Sequence, residues 1–241
     1  MAAAARVRGE RFLDSKRIGR IIKTHPENSM KTTLLISAGL AASILFNASA
    51  FEPPANSKLV VDETFENEEL GKGWATQTGS WTVVDGALRG AEIKDDNHVA
   101  AARRVTETGD AVYELKFRFA EGAKAFHFGF DPKRGELDKH GHLFSVIVTP
   151  ANWKILKHID KDKPKEDPNE VLATADVGFD YNQWYTLRVV TWGTTVKATI
   201  EGRGSLEAMH PTFSVKKPTL VFRVSGNGVE FDDIKVWSSK L

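Results

Sequence analysis

Charged side chains alternate with apolar ones along several segments of this chain. Glu114 and Arg118 alternate with aromatic and aliphatic residues in one segment, and His127 alternates with phenylalanines in the next. Successive side chains of a β-strand point to opposite faces, so we expect these polar groups to share one sheet face. The same alternation predicts that Arg188 and Arg223 join them there.

The residue types of this predicted face suit proton transfer and the binding of oxygen-rich ligands. A carboxylate or an imidazole can transfer protons, so Glu114 and His127 are the candidate catalytic residues. Guanidinium groups hold hydroxyl and carboxylate oxygens, so Arg118, Arg188 and Arg223 are candidate substrate-binding residues. The alternative is an ordinary solvated face, which antiparallel sheets commonly have.

Tryptophan rings offer a second means of binding sugars, and the chain has six of them. Trp81 and Trp237 fall in segments predicted as terminal strands, where burial is favoured. Trp153 lies between Asn152 and Lys154 beside a predicted loop. We therefore count Trp153 as a candidate substrate-binding residue with an exposed ring, and burial is the alternative.

A His-x-His pair raises the question of a metal. His140 and His142 could bind one if Asp138 and a further nitrogen from His127 or His158 converged with them. The alternative is a solvent-exposed turn, because turn-forming residues precede the pair and it lacks a fuller ligand pattern. The chain has no cysteine, which excludes thiolate ligands and thiol nucleophiles. We expect no metal and no cofactor.

Several catalytic motifs are absent from the sequence. Retaining glycosidases need two carboxylates about 5 Å apart, which a strand supplies as Glu-x-Asp-x-(x)-Glu, and no such run occurs. The chain also lacks a phosphate-binding Gly-x-x-x-x-Gly-Lys loop, a Gly-x-Ser-x-Gly elbow and a His-Glu-x-x-His helix. The two-carboxylate mechanism is therefore disfavoured.

The elements that must position these residues are short strands. No long segment has helical periodicity, and Asp85-Gly86 between two apolar runs predicts a type I′ hairpin. We predict strands at residues 59–65, 112–120, 125–130, 143–149, 153–159, 184–192, 195–201, 219–225 and 229–237. Many short strands with almost no helix predict an all-β antiparallel sandwich.

The N-terminal region has the features of an export signal. Residues 30–50 contain Lys31, then the apolar run Leu34–Phe46, then small residues at Ala48 and Ala50, which is the order of a cleavable signal peptide. Residues 1–29 form a basic extension that need not be translated, since Met30 can start a complete signal. We expect residues 51–241 to form a single β-sandwich domain, secreted or periplasmic.

Charge disfavours two classes of partner. Residues 51–241 carry 25 Lys and Arg against 29 Asp and Glu, a net charge of −4. A mildly acidic protein is poorly suited to nucleic acid or to anionic membrane surfaces. We expect no stable membrane span after signal cleavage, and the oligomeric state is open.

Short segments along the chain resemble known families. The stretches Gly79–Gly90 and Val229–Trp237 resemble the first and last strands of concanavalin A-like jelly rolls. The chain also resembles the 3-keto-disaccharide hydrolase domain family in Gly73-Trp74, Trp81–Gly90, Tyr113–Arg118, Trp184–Val189 and Phe231–Val236.

That resemblance implies a jelly-roll domain that acts on a saccharide or glycan by 3-keto-glycoside cleavage. The alternative is a non-catalytic glycan-binding or cell-surface structural module. The family's Asn-Ser-Gly strand is replaced here by Phe126–Phe130.

Overall fold

Two antiparallel β-sheets packed face to face make up the described part of the protein. The computed structural model describes residues 53–67 and 69–239. The predicted basic extension and signal peptide lie outside these residues. Every pairing between named strands is antiparallel within the described ranges.

The strands are numbered in chain order. They are β1 Ser57–Glu63, β2 Trp74–Thr78, β3 Ser80–Val84, β4 Ala87–Ala91, β5 Ala100–Thr108, β6 Ala111–Phe119, β7 Ala123–Phe130, β8 Phe144–Val148, β9 Trp153–Lys157, β10 Glu170–Ala175, β11 Trp184–Trp192, β12 Thr195–Ile200, β13 Gly204–Met209, β14 Lys217–Gly226 and β15 Val229–Ser239. Two short 3-10 helices span Lys94–Asp96 and Pro211–Ser214. In the described ranges, no helix has the length and apolar character needed to cross a membrane.

Each sheet combines strands that are distant in sequence. The eight-stranded sheet has the order β13-β12-β11-β6-β15-β4-β3, with β1 paired to β15 beside β4. The seven-stranded sheet has the order β10-β9-β8-β7-β14-β5-β2. The hairpin predicted at Asp85-Gly86 joins β3 to β4, and its two residues have φ of 50° and 74°, as a type I′ turn requires.

Aromatic side chains fill the space between the sheets. Phe117 of β6 meets Phe126 of β7 at a ring-centroid distance of 4.7 Å, and Phe231 of β15 meets Phe222 of β14 at 5.2 Å. All four side chains are fully buried. Because alternate residues of each strand enter this core, the remaining residues of the two sheets lie on opposite outer surfaces of the sandwich.

The architecture confirms the predicted all-β antiparallel sandwich. The nine predicted strands are present, with every bound shifted by two residues or fewer. Strands β2, β5, β10 and β13 were not predicted. Three of these, β2, β10 and β13, are edge strands with a neighbour on one side only, and few of their residues are buried.

Candidate functional site

The structure divides the predicted polar face between the two sheets. Glu114, Arg118 and Arg188 lie on β6 and β11 of the eight-stranded sheet, whereas His127 and Arg223 lie on β7 and β14 of the seven-stranded sheet. The expectation that all five share one face is therefore wrong. Alternation within a strand separates inward from outward residues, but it does not indicate which sheet the strand joins.

The polar residues of the eight-stranded sheet satisfy one another. Arg188 Nε donates to Glu114 Oε2 at 2.9 Å, and these residues are direct cross-strand partners. Arg118 Nε donates to Glu230 Oε2 at 2.6 Å, and its guanidinium lies 4.6 Å from the ring centroid of Trp184. This pattern is that of a sheet surface stabilised by ion pairs.

Trp153 is buried in the core, so the expectation of an exposed ring is wrong. Its side chain is 0% exposed, as is that of Ile155 two positions along β9. Lys154 between them points to the outer surface. The polar neighbours that suggested exposure are thus the outward members of an alternating strand, and Trp153 cannot contact a ligand at the surface.

The outer face of the seven-stranded sheet brings residues of β5, β14 and β7 together in two rows. In the first row, Arg223 stands directly opposite His127 on one side and Ala101 on the other. In the second row, Val221 stands opposite Arg103 and Gly129. Short side chains therefore sit beside arginines and a histidine, which leaves a hollow with polar walls.

This hollow is a cavity of about 380 Å³, within the range of small-ligand sites. We call it the Arg223 cavity. It is lined by Gln77, His98, Ala101, Arg103, His142, His158, Ile159, Lys161, Asn169, Val221 and Arg223.

Asp131, at the end of β7, organises one side of the Arg223 cavity. Its Oδ2 accepts from Arg103 Nε at 2.9 Å and from Thr219 Oγ1 at 3.0 Å. Its Oδ1 lies 2.6 Å from Nδ1 of His142. Burial would raise the pKa of Asp131, but the hydrogen bonds and charges of His142 and Arg103 outweigh it and lower the pKa to about 2. Asp131 is therefore an ionised orienting group for both.

His158 lines another side of the Arg223 cavity. Its Nε2 lies 2.7 Å from the hydroxyl of Ser145, and both residues are buried. Gly129 makes room for this contact, because a Cβ at that position would lie 2.5 Å from Ser145 Oγ. Burial, followed by the charges of His142, His127 and Arg223, lowers the pKa of His158 to about 3. The imidazole is neutral at ordinary pH.

Arg223 and His127 have polar atoms without partners. Within the described residues, Arg223 forms no hydrogen bond or ion pair although it is half-buried. Burial, then repulsion from Arg103, lowers its pKa. His127 Nδ1 is buried without a hydrogen-bond partner, and burial and the charge of Arg223 lower the pKa of His127 to about 4. A half-buried guanidinium without a protein partner is expected where a ligand completes the hydrogen bonding.

A charged loop forms the outer wall. Residues 161–166 are exposed, as expected for a solvated loop, but both ends are anchored. Asp160 accepts from the backbone N–H groups of His140 and Asp162, and Asp167 accepts from Lys139 at 2.9 Å. The anchored ends hold Lys161 at the cavity.

The two histidines of the His-x-His motif point to different partners. His140 contacts Asp162 at 3.2 Å on the exposed loop, whereas His142 contacts Asp131 inside the cavity. In the part of the chain that the structure describes, no group of three or more metal-binding side chains converges.

A larger hollow of about 730 Å³ lies beside the β3–β4 hairpin. Its charged residues are Glu66, Glu69 and Asp85, all exposed, and none of the histidines or arginines described above lines it. Exposed carboxylates are already hydrated and need no ligand. The Arg223 cavity is therefore the stronger candidate site.

Sequence reasoning did not include Arg103, Asp131, His142 or His158 among the predicted site residues. Arg103 lies on the unpredicted strand β5, and Asp131 follows the end of β7. His142 and His158 were considered only as metal ligands. Alternation along the chain would have placed Arg103 on an outer sheet face together with Ala101, but only if β5 had been recognised as a strand.

Comparison with known proteins bears on the fold. No protein-family model matches the chain, and no curated protein matches it. A CBM66 carbohydrate-binding module from Bacillus subtilis superposes with a TM-score of 0.56 at 18% identity, covering 69% of this chain and 96% of the module. SCLam, a non-specific endo-β-1,3(4)-glucanase of family GH16, superposes with a TM-score of 0.58 at 10% identity, covering 79% and 94%.

An endo-β-1,3-glucanase from Pyrococcus furiosus gives a TM-score of 0.54 at 10% identity, covering 76% of this chain and 94% of the enzyme. At these identities the likeness concerns the arrangement of the strands. Together with the two antiparallel sheets, it shows that the chain folds as a concanavalin A-like jelly-roll β-sandwich.

Proposed function

We propose that this chain is an exported saccharide-binding domain whose ligand lies in the Arg223 cavity, on the outer face of the seven-stranded sheet. The observation that carries the proposal is the half-buried Arg223 with no partner among the described residues, beside the unpaired Nδ1 of His127. A hydroxyl-rich ligand supplies the missing partner of Arg223.

The chemistry of the cavity suits sugar hydroxyls. A neutral imidazole carries one donor and one acceptor, and a hydroxyl can pair with either. His158, which lines the cavity, is held neutral, and Gln77 and Asn169 add amide donors and acceptors. The proposal also draws on the printed descriptions of the structural neighbours, which are a carbohydrate-binding module and glucanases.

The cavity favours binding over two-carboxylate hydrolysis. None of its lining residues is an aspartate or glutamate. Asp131, the adjacent carboxylate, has both oxygens occupied and its pKa lowered to about 2, so it cannot act as the general acid at ordinary pH.

A second candidate is cleavage of a 3-keto-glycoside, favoured by the Asp131–His142 pair. A carboxylate that accepts Nδ1–H leaves Nε2 of the imidazole free to take a proton. In a 3-keto sugar the carbonyl acidifies the hydrogen on C2. His142 would remove it, and the electron pair would form an enolate held by Arg223. Re-formation of the carbonyl would make a double bond between C1 and C2 and expel the glycosidic oxygen from C1, which would take the proton from His142. Addition of water would complete the hydrolysis.

Binding is tested by screening the purified domain on a glycan array and titrating the positive saccharides by calorimetry. We expect Arg223→Gln to weaken binding by roughly tenfold or more, since hydrogen bonds to charged groups are strong. The control is Lys197→Gln, which removes a positive charge from an exposed site on the eight-stranded sheet. If the folded domain binds no saccharide, or if the two variants behave alike, the proposal fails.

A parallel assay of 3-keto-glycoside hydrolysis separates the two candidates. An enzyme should lose most of its kcat in His142→Gln with a smaller change in KM, because His142 would act on the transferred proton. A binding module should show no turnover in the wild-type domain, and His142→Gln should change affinity only modestly.

Export of this domain is also proposed, from the signal pattern of residues 30–50. N-terminal sequencing of protein from the culture medium or periplasm should find Phe51 as the first residue. An exported protein that retains residues 30–50 would contradict cleavage.

A further inference from the structure

We propose that the saccharide bound in the Arg223 cavity is acidic, with a carboxylate or sulfate group held between the guanidinium groups of Arg223 and Arg103. This inference rests on the proposed saccharide-binding function and specifies its ligand class.

Arg223 differs from the other arginines of the strands in having no hydrogen-bond or ion-pair partner among the described residues, whereas Arg89 donates to the backbone carbonyl of Asn227 at 2.8 Å. Arg103, Arg104, Arg118 and Arg188 each hold a carboxylate at 2.9 Å or less. Arg223 is half-buried like them, yet it contacts no carboxylate within the described residues. Removing a guanidinium from water without a partner is costly, so an anion from the ligand has a larger effect here than at an exposed arginine.

The charges around the cavity are unbalanced. Its lining residues include three cations, Arg103, Lys161 and Arg223, and no carboxylate. Asp131 beneath them compensates Arg103 alone, because its two oxygens are taken by Arg103, Thr219 and His142.

Carboxylates of the surrounding loops face other groups, and Asp160 accepts from two backbone N–H groups. Asp162 contacts His140, and Asp138 accepts from Lys163. The cavity therefore retains positive charge inside a chain segment, residues 51–241, whose net charge is −4. A local positive site on an acidic protein indicates selective anion binding.

Strand register places the two arginines for joint binding. Arg223 on β14 pairs with Ala101 on β5, and Arg103 lies two residues farther along β5, opposite Val221. The two arginines are thus diagonal neighbours on one face, at about 7–8 Å between their backbone positions, a separation that long side chains can bridge. The other two corners carry the short side chains of Ala101 and Val221, which leaves space between the guanidinium groups for an oxyanion.

The proposed ligand is a sugar that carries a planar or a tetrahedral oxyanion. A guanidinium presents paired N–H donors that match both carboxylate and sulfate oxygens, so the geometry alone admits a uronic acid or a sulfated sugar. The two sources are distinguished by matched ligands that differ only in the anionic group.

Calorimetric titration at low ionic strength provides the test. The probes are trigalacturonic acid against its methyl ester, and a sulfated oligosaccharide against its desulfated form. We expect at least one acidic member to bind about tenfold or more tightly than its neutral counterpart. A preference in the first pair assigns the group as a carboxylate, and a preference in the second assigns it as a sulfate.

Arg223→Gln should reduce the ratio of acidic to neutral affinity to near one, whereas Arg223→Lys should keep part of it and Lys197→Gln all of it. Thermal unfolding of each variant checks that it is folded. If the wild-type domain binds neutral glycans as well as their acidic counterparts, this inference is wrong while the saccharide-binding proposal stands. If it binds no saccharide of either kind, both are wrong.

Discussion

Arg223 lies directly opposite His127 in the β7–β14 strand pair, and both residues keep polar atoms that no other described residue satisfies. The arginine helps to lower the pKa of the histidine, so the pair is a cation beside a neutral imidazole. The free domain therefore contains a site whose interactions are incomplete, which has measurable consequences for stability.

Arg223→Gln should leave the free domain as stable as the wild type or raise its free energy of unfolding by up to about 1 kcal/mol, because a half-buried charge without a partner is removed. Arg103→Gln should instead lower it by about 1–3 kcal/mol, since Asp131 loses its guanidinium partner. Urea denaturation measures both. Equal losses in the two variants would contradict the assignment of Arg223 as unpaired.

Stability should fall as the pH drops from about 6.5 to about 4. Burial and neighbouring cations lower the pKa of His127 to about 4 and of His158 to about 3, from 6.5 in the unfolded chain. The unfolded chain binds more protons in this window, so the neutral histidines stabilise the fold above pH 6.5 and this contribution is lost on acidification.

The expected size is about 2 kcal/mol for each histidine, allowing for partial solvent screening. Denaturation midpoints measured from pH 4 to pH 8 should decline less steeply in His127→Gln than in the wild type. The exposed His140 provides the control, because His140→Gln should retain the wild-type slope. Parallel curves for His127→Gln and the wild type would show that His127 is not held neutral.

Phe117→Ala should destabilise the domain by about 3–5 kcal/mol, the usual cost of emptying a buried aromatic site. Phe117 is fully buried and contacts the rings of Phe126 and Tyr185. The preceding residue, Lys116, points outward and forms an exposed ion pair with Asp233 at 2.6 Å. Lys116→Ala should therefore lower the free energy of unfolding by less than about 1 kcal/mol. Similar urea midpoints for the two variants would show that the inward and outward faces of β6 are assigned wrongly.

Gly129→Ala should destabilise the domain by about 1–3 kcal/mol, because its Cβ would collide with Ser145 Oγ. The collision also displaces the Ser145–His158 hydrogen bond. Ser145→Ala in the same chain should recover part of the loss, since it removes the oxygen that the new methyl group meets. A double-mutant cycle measures this coupling, and strictly additive losses would place the strain elsewhere.

The local sequence pattern was sufficient to predict the fold class and to predict which side chains of most strands point into the core. The alternation along β6 correctly predicted that Glu114 and Arg118 point away from the core, and Asp85-Gly86 correctly predicted the β3–β4 hairpin. Both features depend on residues within a few positions of each other, where the pleat of a strand and the allowed φ of a turn are decided. The edge strands β2, β10 and β13 escaped prediction because few of their residues are buried in the core.

Assignment of the site required tertiary structure. His127 and Arg223 are 96 positions apart in the sequence, and they meet because β14 is inserted between β7 and β5. Glu114 has the same outward alternation as His127 but belongs to the other sheet. Alternation therefore identified outward residues, while sheet membership and strand register, which depend on the packing of distant strands, decided which of them form one surface.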